Sequence, residues 1–209
     1  MKSALEALER LREGNRRFVS DVRGQGASTG QTRRHELVAG QHPFAIILGC
    51  SDSRVPAEIV FDQGLGELFV IRVAGNIVAP SQIGSVEFAV CMYDTPLVVV
   101  MGHSMCGAVT ATLEELERPS DNRSPNLHAI VSRIRPSVET LLETGLKTNP
   151  AAMLQRAIRA NIRASVSQLA HGSRILEELI EQDRLLVVGA EYSLEAGVVD
   201  FFYGLPEGD

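Results

Sequence analysis

Cys50, Asp52 and Arg54 occupy alternate positions in ILGCSDSRVP, directly after a run of hydrocarbon side chains, and His103 and Cys106 follow about fifty residues later in MGHSMCGAV. Two thiolates and one imidazole suit zinc, a borderline-soft ion that binds sulfur at about 2.3 Å and nitrogen at about 2.0–2.1 Å. Such an ion prefers four ligands, so a Cys2His set leaves one position for water or for another side chain, and that position separates a catalytic site from a closed structural one. A carboxylate two residues from Cys50 has two uses: it can accept a proton from an oxygen nucleophile at the metal, or it can become the fourth ligand. Arg54 can hold that carboxylate through paired, charge-assisted hydrogen bonds and keep it off the metal. The same residues describe an open site and a shut one.

Cys91 lies between Val90 and Met92 with no ligand type beside it and reads as core packing. His35, His42, His128 and His171 fall in loops or on polar helix faces and receive no role.

Residues so far apart in sequence meet only if secondary structure delivers them. FAIILG, ELFVIRVAG and PLVVVMG are continuous apolar runs of strand length, and RLLVVGAEY is a fourth. Cys50 ends the first run and His103 the third, and in open parallel sheets ligands gather at the carboxyl ends of strands. Leu5, Leu8, Leu11 and Phe18 recur at helical spacing, predicting an amphipathic helix over the first eighteen residues, followed by a polar, glycine-rich loop and a short helix near 30–39. PAEIVFD predicts a short helix with Pro56 in its first turn, and Ser81 is a candidate cap for a helix through QIGSVEFAVCMYD. A helix starts near Cys106 and runs to about Glu117. Residues 118–149 are mixed, and Asn149-Pro150 starts a long helix predicted to reach Glu181. VVDFFYG after Gly197 predicts a terminal hairpin. Alternation of buried strands with helices gives an α/β fold: a mostly parallel central sheet flanked by helices, with an N-terminal helical arm and a C-terminal antiparallel edge strand.

With 209 residues and 44% hydrophobic content, the expected organisation is a single domain over 1–209, residues 1–20 forming an arm that contacts a partner in a dimer. The 26 acidic residues outnumber 20 basic ones, and the basic residues are scattered, which excludes a nucleic-acid-binding surface of the usual kind. No run approaches the length that crosses a bilayer, and the N-terminal stretch has no apolar h-region, so the expectation is a cytoplasmic protein without a membrane partner. Three cysteines are too few and too sparse for a disulfide framework.

C-S-D-S-R from Cys50 to Arg54, joined to G-H-S-x-C-G from Gly102 to Gly107, resembles the β-class carbonic anhydrases of bacterial type. VPAEIVFDQGLGELFVIRVAGN, GSVEFAV and VVGAEYSLEAGVVDFF extend the resemblance over most of the chain from about residue 41. It implies a zinc lyase that reversibly hydrates carbon dioxide to bicarbonate and a proton, by attack of zinc-bound hydroxide on CO2. Cys50, His103 and Cys106 would bind Zn2+, and Asp52 and Arg54 would be the catalytic gatekeeping pair, Asp52 also serving as a conditional fourth ligand. The backbone N–H of Gly107 would steady a substrate oxygen. Gln41, Phe69 and Phe88 would line the substrate pocket across a dimer interface, with Ala74 from the subunit that holds the metal, in a homodimer or homotetramer. The plant-like pattern has tyrosine where Phe88 stands and valine where Ala74 stands. One subgroup builds a bicarbonate pocket on a tryptophan three residues before the first cysteine; here that residue is Ile47, and the chain contains no tryptophan. The alternatives are a carbonyl sulfide or carbon disulfide hydrolase on the same scaffold, and a zinc-stabilised scaffold protein without turnover.

Overall fold

Five strands form one sheet in the computed structural model, which describes residues 1–22, 30–119, 124–144 and 148–206. They are β1 (Ala45–Gly49), β2 (Leu68–Arg72), β3 (Leu97–His103), β4 (Leu186–Tyr192) and β5 (Val199–Tyr203), in the order β2-β1-β3-β4-β5. The first four are parallel and β5 runs antiparallel to β4. β1, β3 and β4 are buried at every residue, the pattern of strands covered on both faces. The register pairs Gly49 with Arg72 on one side and with Met101 on the other, so the carboxyl ends of β1, β2 and β3 finish nearly level.

Eight α-helices cover the sheet among the described residues: α1 (Lys2–Val19), α2 (Gln31–Glu36), α3 (Ala57–Val60), α4 (Pro80–Tyr93), α5 (Gly107–Glu117), α6 (Pro125–Val138), α7 (Pro150–His171) and α8 (Arg174–Glu181). Each sheet face has its own core. On one, Ile46, Leu48, Val98 and Val100 meet residues of α4 to α8, including Ile134, Ile158, Ile162 and Leu176. On the other, Ile47, Val99, Met101 and Val188 meet Ala4, Leu8 and Leu11 of α1 and Val60 of α3. Leu8 and Leu11 are fully buried, each contributing about 1.5–3 kcal/mol by leaving water. α1 therefore spends its apolar face on this chain's own sheet. Gly14 permits that approach, since a Cβ there would collide with the Phe61 carbonyl oxygen. The next residue, buried Asn15, donates from Nδ2 to the carbonyls of Val60 (3.1 Å) and Gly197 (2.9 Å), and its Oδ1 accepts from the Val199 N–H (2.8 Å).

Three expectations need correction. The long helix predicted to Glu181 is two, α7 and α8, parted at Gly172–Ser173, where the Ser173 hydroxyl accepts from the Leu176 N–H and caps α8. Ser81 does not cap α4: the helix begins at Pro80 with Ala79 as its N-cap residue, and Ser81 lies inside it. Cys91 is exposed, because the buried stripe of α4 runs through Val86, Ala89 and Val90 and leaves the next residue facing outward. The mixed stretch 118–149 contains α6, started by Pro125 and capped by the Ser124 hydroxyl, which accepts from the Asn126 N–H. The predicted glycine-rich loop after α1 lies largely outside the described residues.

Candidate metal centre

Cys50 is the first residue beyond β1, His103 the last of β3, and Cys106 the N-cap residue of α5. Their donor atoms, two sulfurs and one ring nitrogen, lie within 4.8 Å of one another, and all three side chains are buried. Between the last two, Met105 adopts a left-handed backbone (φ 57°) that turns the chain from strand to helix. Ser104 pins this turn to β4: its N–H donates to the Tyr192 carbonyl at 2.9 Å, and its hydroxyl accepts from the Leu194 N–H at 2.9 Å.

The imidazole is oriented by the same serine. His103 Nδ1 is 2.9 Å from the Ser104 carbonyl oxygen, which can only accept, so Nδ1 carries the proton. Nε2 is left with its lone pair, buried beside the two sulfurs and without a hydrogen-bond partner among the described residues. A buried acceptor in that state is costly unless a ligand meets it. Two sulfurs and an imidazole nitrogen are the donors a borderline-soft divalent metal takes, and the residues fit such an ion.

The sulfurs are electrostatically unequal. The Cys50 thiol is pulled well below its usual range, first by the hydrogen bond from Cys106 and against the effect of burial, with the N–H groups of Asp52 and Gly75 adding to it. Cys106, the donor of that bond and itself buried, is pushed up. A metal that binds both sulfurs must displace the protons they carry.

Asp52 faces the cluster without joining it. Its Oδ1 accepts from the Arg54 N–H (3.0 Å) and Nε (2.9 Å), and its Oδ2 accepts from Nη2 (2.7 Å). Oδ2 stands 3.9 Å from His103 Nε2. The paired bonds from the Arg54 side chain, aided by its backbone N–H, hold the Asp52 carboxyl well below the usual carboxylate range. The carboxylate is an acceptor held beside the metal position.

Further residues shape the site, and two of them, Arg72 and Gly75, carry no recognisable mark in sequence. Arg72, at the end of β2, donates from Nε to the Cys50 carbonyl (3.0 Å) and from Nη2 to the Asp52 carbonyl (2.6 Å), fixing the loop that bears both side chains. Ala74 lies in a 3-10 turn, Ala74–Asn76, and the neighbouring Gly75 N–H reaches Cys50 Sγ at 3.4 Å. Gly107 is the first residue of α5, and the space its missing side chain would fill is open. Ala74 and Gly107 are expected here from the family resemblance.

Gln41, Phe69 and Phe88 form a second group. Phe69, Phe88 and Tyr93 pack ring against ring with centroids 5.8–6.3 Å apart, and Gln41 Nε2 donates to the Tyr93 hydroxyl at 3.0 Å. Phe69 pairs with Ile46 in the sheet, four residues before Cys50, or about 13 Å along the strand. Within one chain this group is apart from the metal cluster. It is also open to solvent: Phe88 is 49% exposed and Met92, one turn on, 64%.

A family model described as carbonic anhydrase matches residues 45–199, which include every residue of the metal cluster and the Asp52–Arg54 pair. The chain belongs to the β-carbonic anhydrase family. Members of this family are metal-dependent enzymes. Carbonic anhydrase 2 of Mycobacterium tuberculosis is 39% identical over 193 residues, covering 91% of this chain and 89% of the relative. The solved structure of the β-carbonic anhydrase CcaA superposes with a TM-score of 0.76 at 25% identity, covering 96% of this chain and 93% of that one. A tetrameric β-carbonic anhydrase of Sordaria macrospora gives a TM-score of 0.72 at 26% identity, with 81% and 85% covered. No helix among the described residues is long and apolar enough to cross a membrane.

Proposed function

We propose that this β-carbonic anhydrase family member interconverts CO2 and bicarbonate at a zinc ion held by Cys50, His103 and Cys106. The observation that carries the reading is the buried, unpartnered Nε2 of His103 beside two sulfurs, with a latched carboxylate 3.9 Å away. When bound, zinc supplies Lewis-acid activation of water, lowering its pKa from 15.7 towards about 7.

The chain's own residues do the rest. Asp52 Oδ2 accepts the hydrogen bond of the attacking oxygen and directs its lone pair towards the carbon of CO2. Arg54 holds Asp52 in that acceptor position and keeps it from becoming a fourth ligand, as an open site requires. The Gly107 N–H, at the positive end of α5, steadies a substrate oxygen. Ala74 forms the near wall of a narrow pocket suited to a small apolar molecule. Gln41, Phe69 and Phe88 supply the far wall from a second subunit, and Tyr93 joins them by its bond to Gln41. Such a pocket requires at least a homodimer, and the tetrameric Sordaria relative favours an assembly of that kind. α1 contributes to the dimer contact through its outward face within a single domain over 1–209.

Stopped-flow CO2 hydration by the zinc-loaded protein, at neutral and at alkaline pH, tests the reading. Turnover that disappears on chelation is expected. Absence of turnover at both pH values with zinc bound would overturn the proposal in favour of a structural zinc protein. Faster sulfide release from carbonyl sulfide or carbon disulfide than hydration of CO2 would transfer the same site to those substrates.

A further inference from the structure

α7 sends two polar side chains inward among apolar ones. Asn161 and Ser165, one helical turn apart, are each only 2% exposed. Asn161 Nδ2 donates to the Gly75 carbonyl at 2.8 Å, and the Ser165 hydroxyl donates to the Asn76 carbonyl at 3.0 Å. Both acceptors belong to the Ala74–Asn76 turn beyond β2. Gly75 (φ 69°) and Asn76 (φ 43°) are left-handed in succession, a conformation that a residue such as Asn76 keeps only where its surroundings hold it. In this turn the Gly75 N–H points at Cys50 Sγ, 3.4 Å away.

The packing leaves the turn little choice. A Cβ at Gly75 would meet Ile134 Cδ1 at 2.8 Å and Ala108 Cβ at 3.0 Å, while one at Gly102 would crowd Asn76 Oδ1 at 3.3 Å. Apolar contact holds the turn from those sides, and the two α7 donors hold it from another.

We propose that Asn161 and Ser165 are positioning residues of the metal centre: by gripping the Gly75 and Asn76 carbonyls they aim the Gly75 N–H at the Cys50 sulfur. This rests on the reading of Cys50 as a metal ligand. An N–H donated to a ligand thiolate lowers the energy of its lone pairs and fixes the direction in which they point, the way outer contacts tune a metal. The coupling crosses from one helix, through backbone alone, to a ligand on another element.

The test uses the full-length protein with cobalt(II) in place of zinc, and zinc affinity measured by competition with a chromophoric chelator. Asn161→Ala and Ser165→Ala are expected to move the thiolate-to-cobalt charge-transfer band to longer wavelength and to weaken zinc binding by about 10-fold or more. Asn15→Ala is the control: it removes a buried carboxamide that also bonds backbone carbonyls, far from the turn, so it should lower thermal stability yet leave the band and the zinc affinity at wild-type values. Ser165→Ala is the smaller change and serves if Asn161→Ala does not fold. A folded Ser165→Ala or Asn161→Ala protein with an unshifted band and wild-type zinc affinity would overturn the proposal while leaving the metal site intact. A wild-type protein that shows no thiolate-to-cobalt band would overturn the metal-site reading itself, and the proposal with it.

Discussion

The two groups of site residues differ in how far one chain completes them. At the carboxyl ends of β1 and β3, Cys50, His103 and Cys106 are dry and converge, and their loops are tied down by Arg72, Ser104 and the Ala74–Asn76 turn. Along the sheet towards the other end, Gln41, Phe69, Phe88 and Tyr93 are also packed together, but half of Phe88 faces water. A chain folds its ligand set by itself because each donor sits at the end of an element the core already fixes. The aromatic face is organised without being covered, and large exposed apolar groups of this kind mark association surfaces.

That contrast is open to experiment. Cys106→Ala should abolish both metal retention and CO2 hydration and lower thermal stability, read by elemental analysis, stopped-flow and thermal melts; a variant that keeps its zinc would remove Cys106 from the ligand set. Asp52→Asn should retain zinc but lose roughly 100-fold or more in turnover, since the acceptor at Oδ2 becomes an amide. Full activity in that variant across pH would eliminate the assigned role. Phe88→Lys should leave metal content intact while dissociating the assembly on sedimentation and depressing activity, most at low protein concentration. If the lysine variant stays assembled and active, the exposed face is not the contact. Cys91→Ser should do least, shifting stability by about 0.5 kcal/mol or less with unchanged zinc stoichiometry, because that thiol is exposed and outside the cluster.

The sheet was legible because β1, β3 and β4 are apolar runs with no polar face to confuse their period, and the hairpin because Gly197 marks its turn. The ligands were legible because reactive side chains appear where those runs stop. Arg72 and Asn161 were not, since their partners are backbone carbonyls, which leave no trace in the residue types. The break after α7 was hidden for a related reason: apolar Leu169 and Leu176 continue a helical spacing across Gly172, and the Ser173 hydroxyl that caps α8 reads like any other polar residue. Cys91 was misplaced because its apolar neighbours in sequence straddle the edge of a buried stripe, and periodicity alone does not say which side of that edge a residue takes.

Asn15 joins the first helix to the last strand, bonding Val199 across a sequence separation of 184 positions. During synthesis the seat for α1 is unfinished until Val199 has left the ribosome, so its leucine stripe emerges well before this part of its seat. Loss of the β4–β5 hairpin would take Val188 and the Asn15–Val199 bond from that seat, and a proteolytic nick in α1 or in β5 should loosen the other.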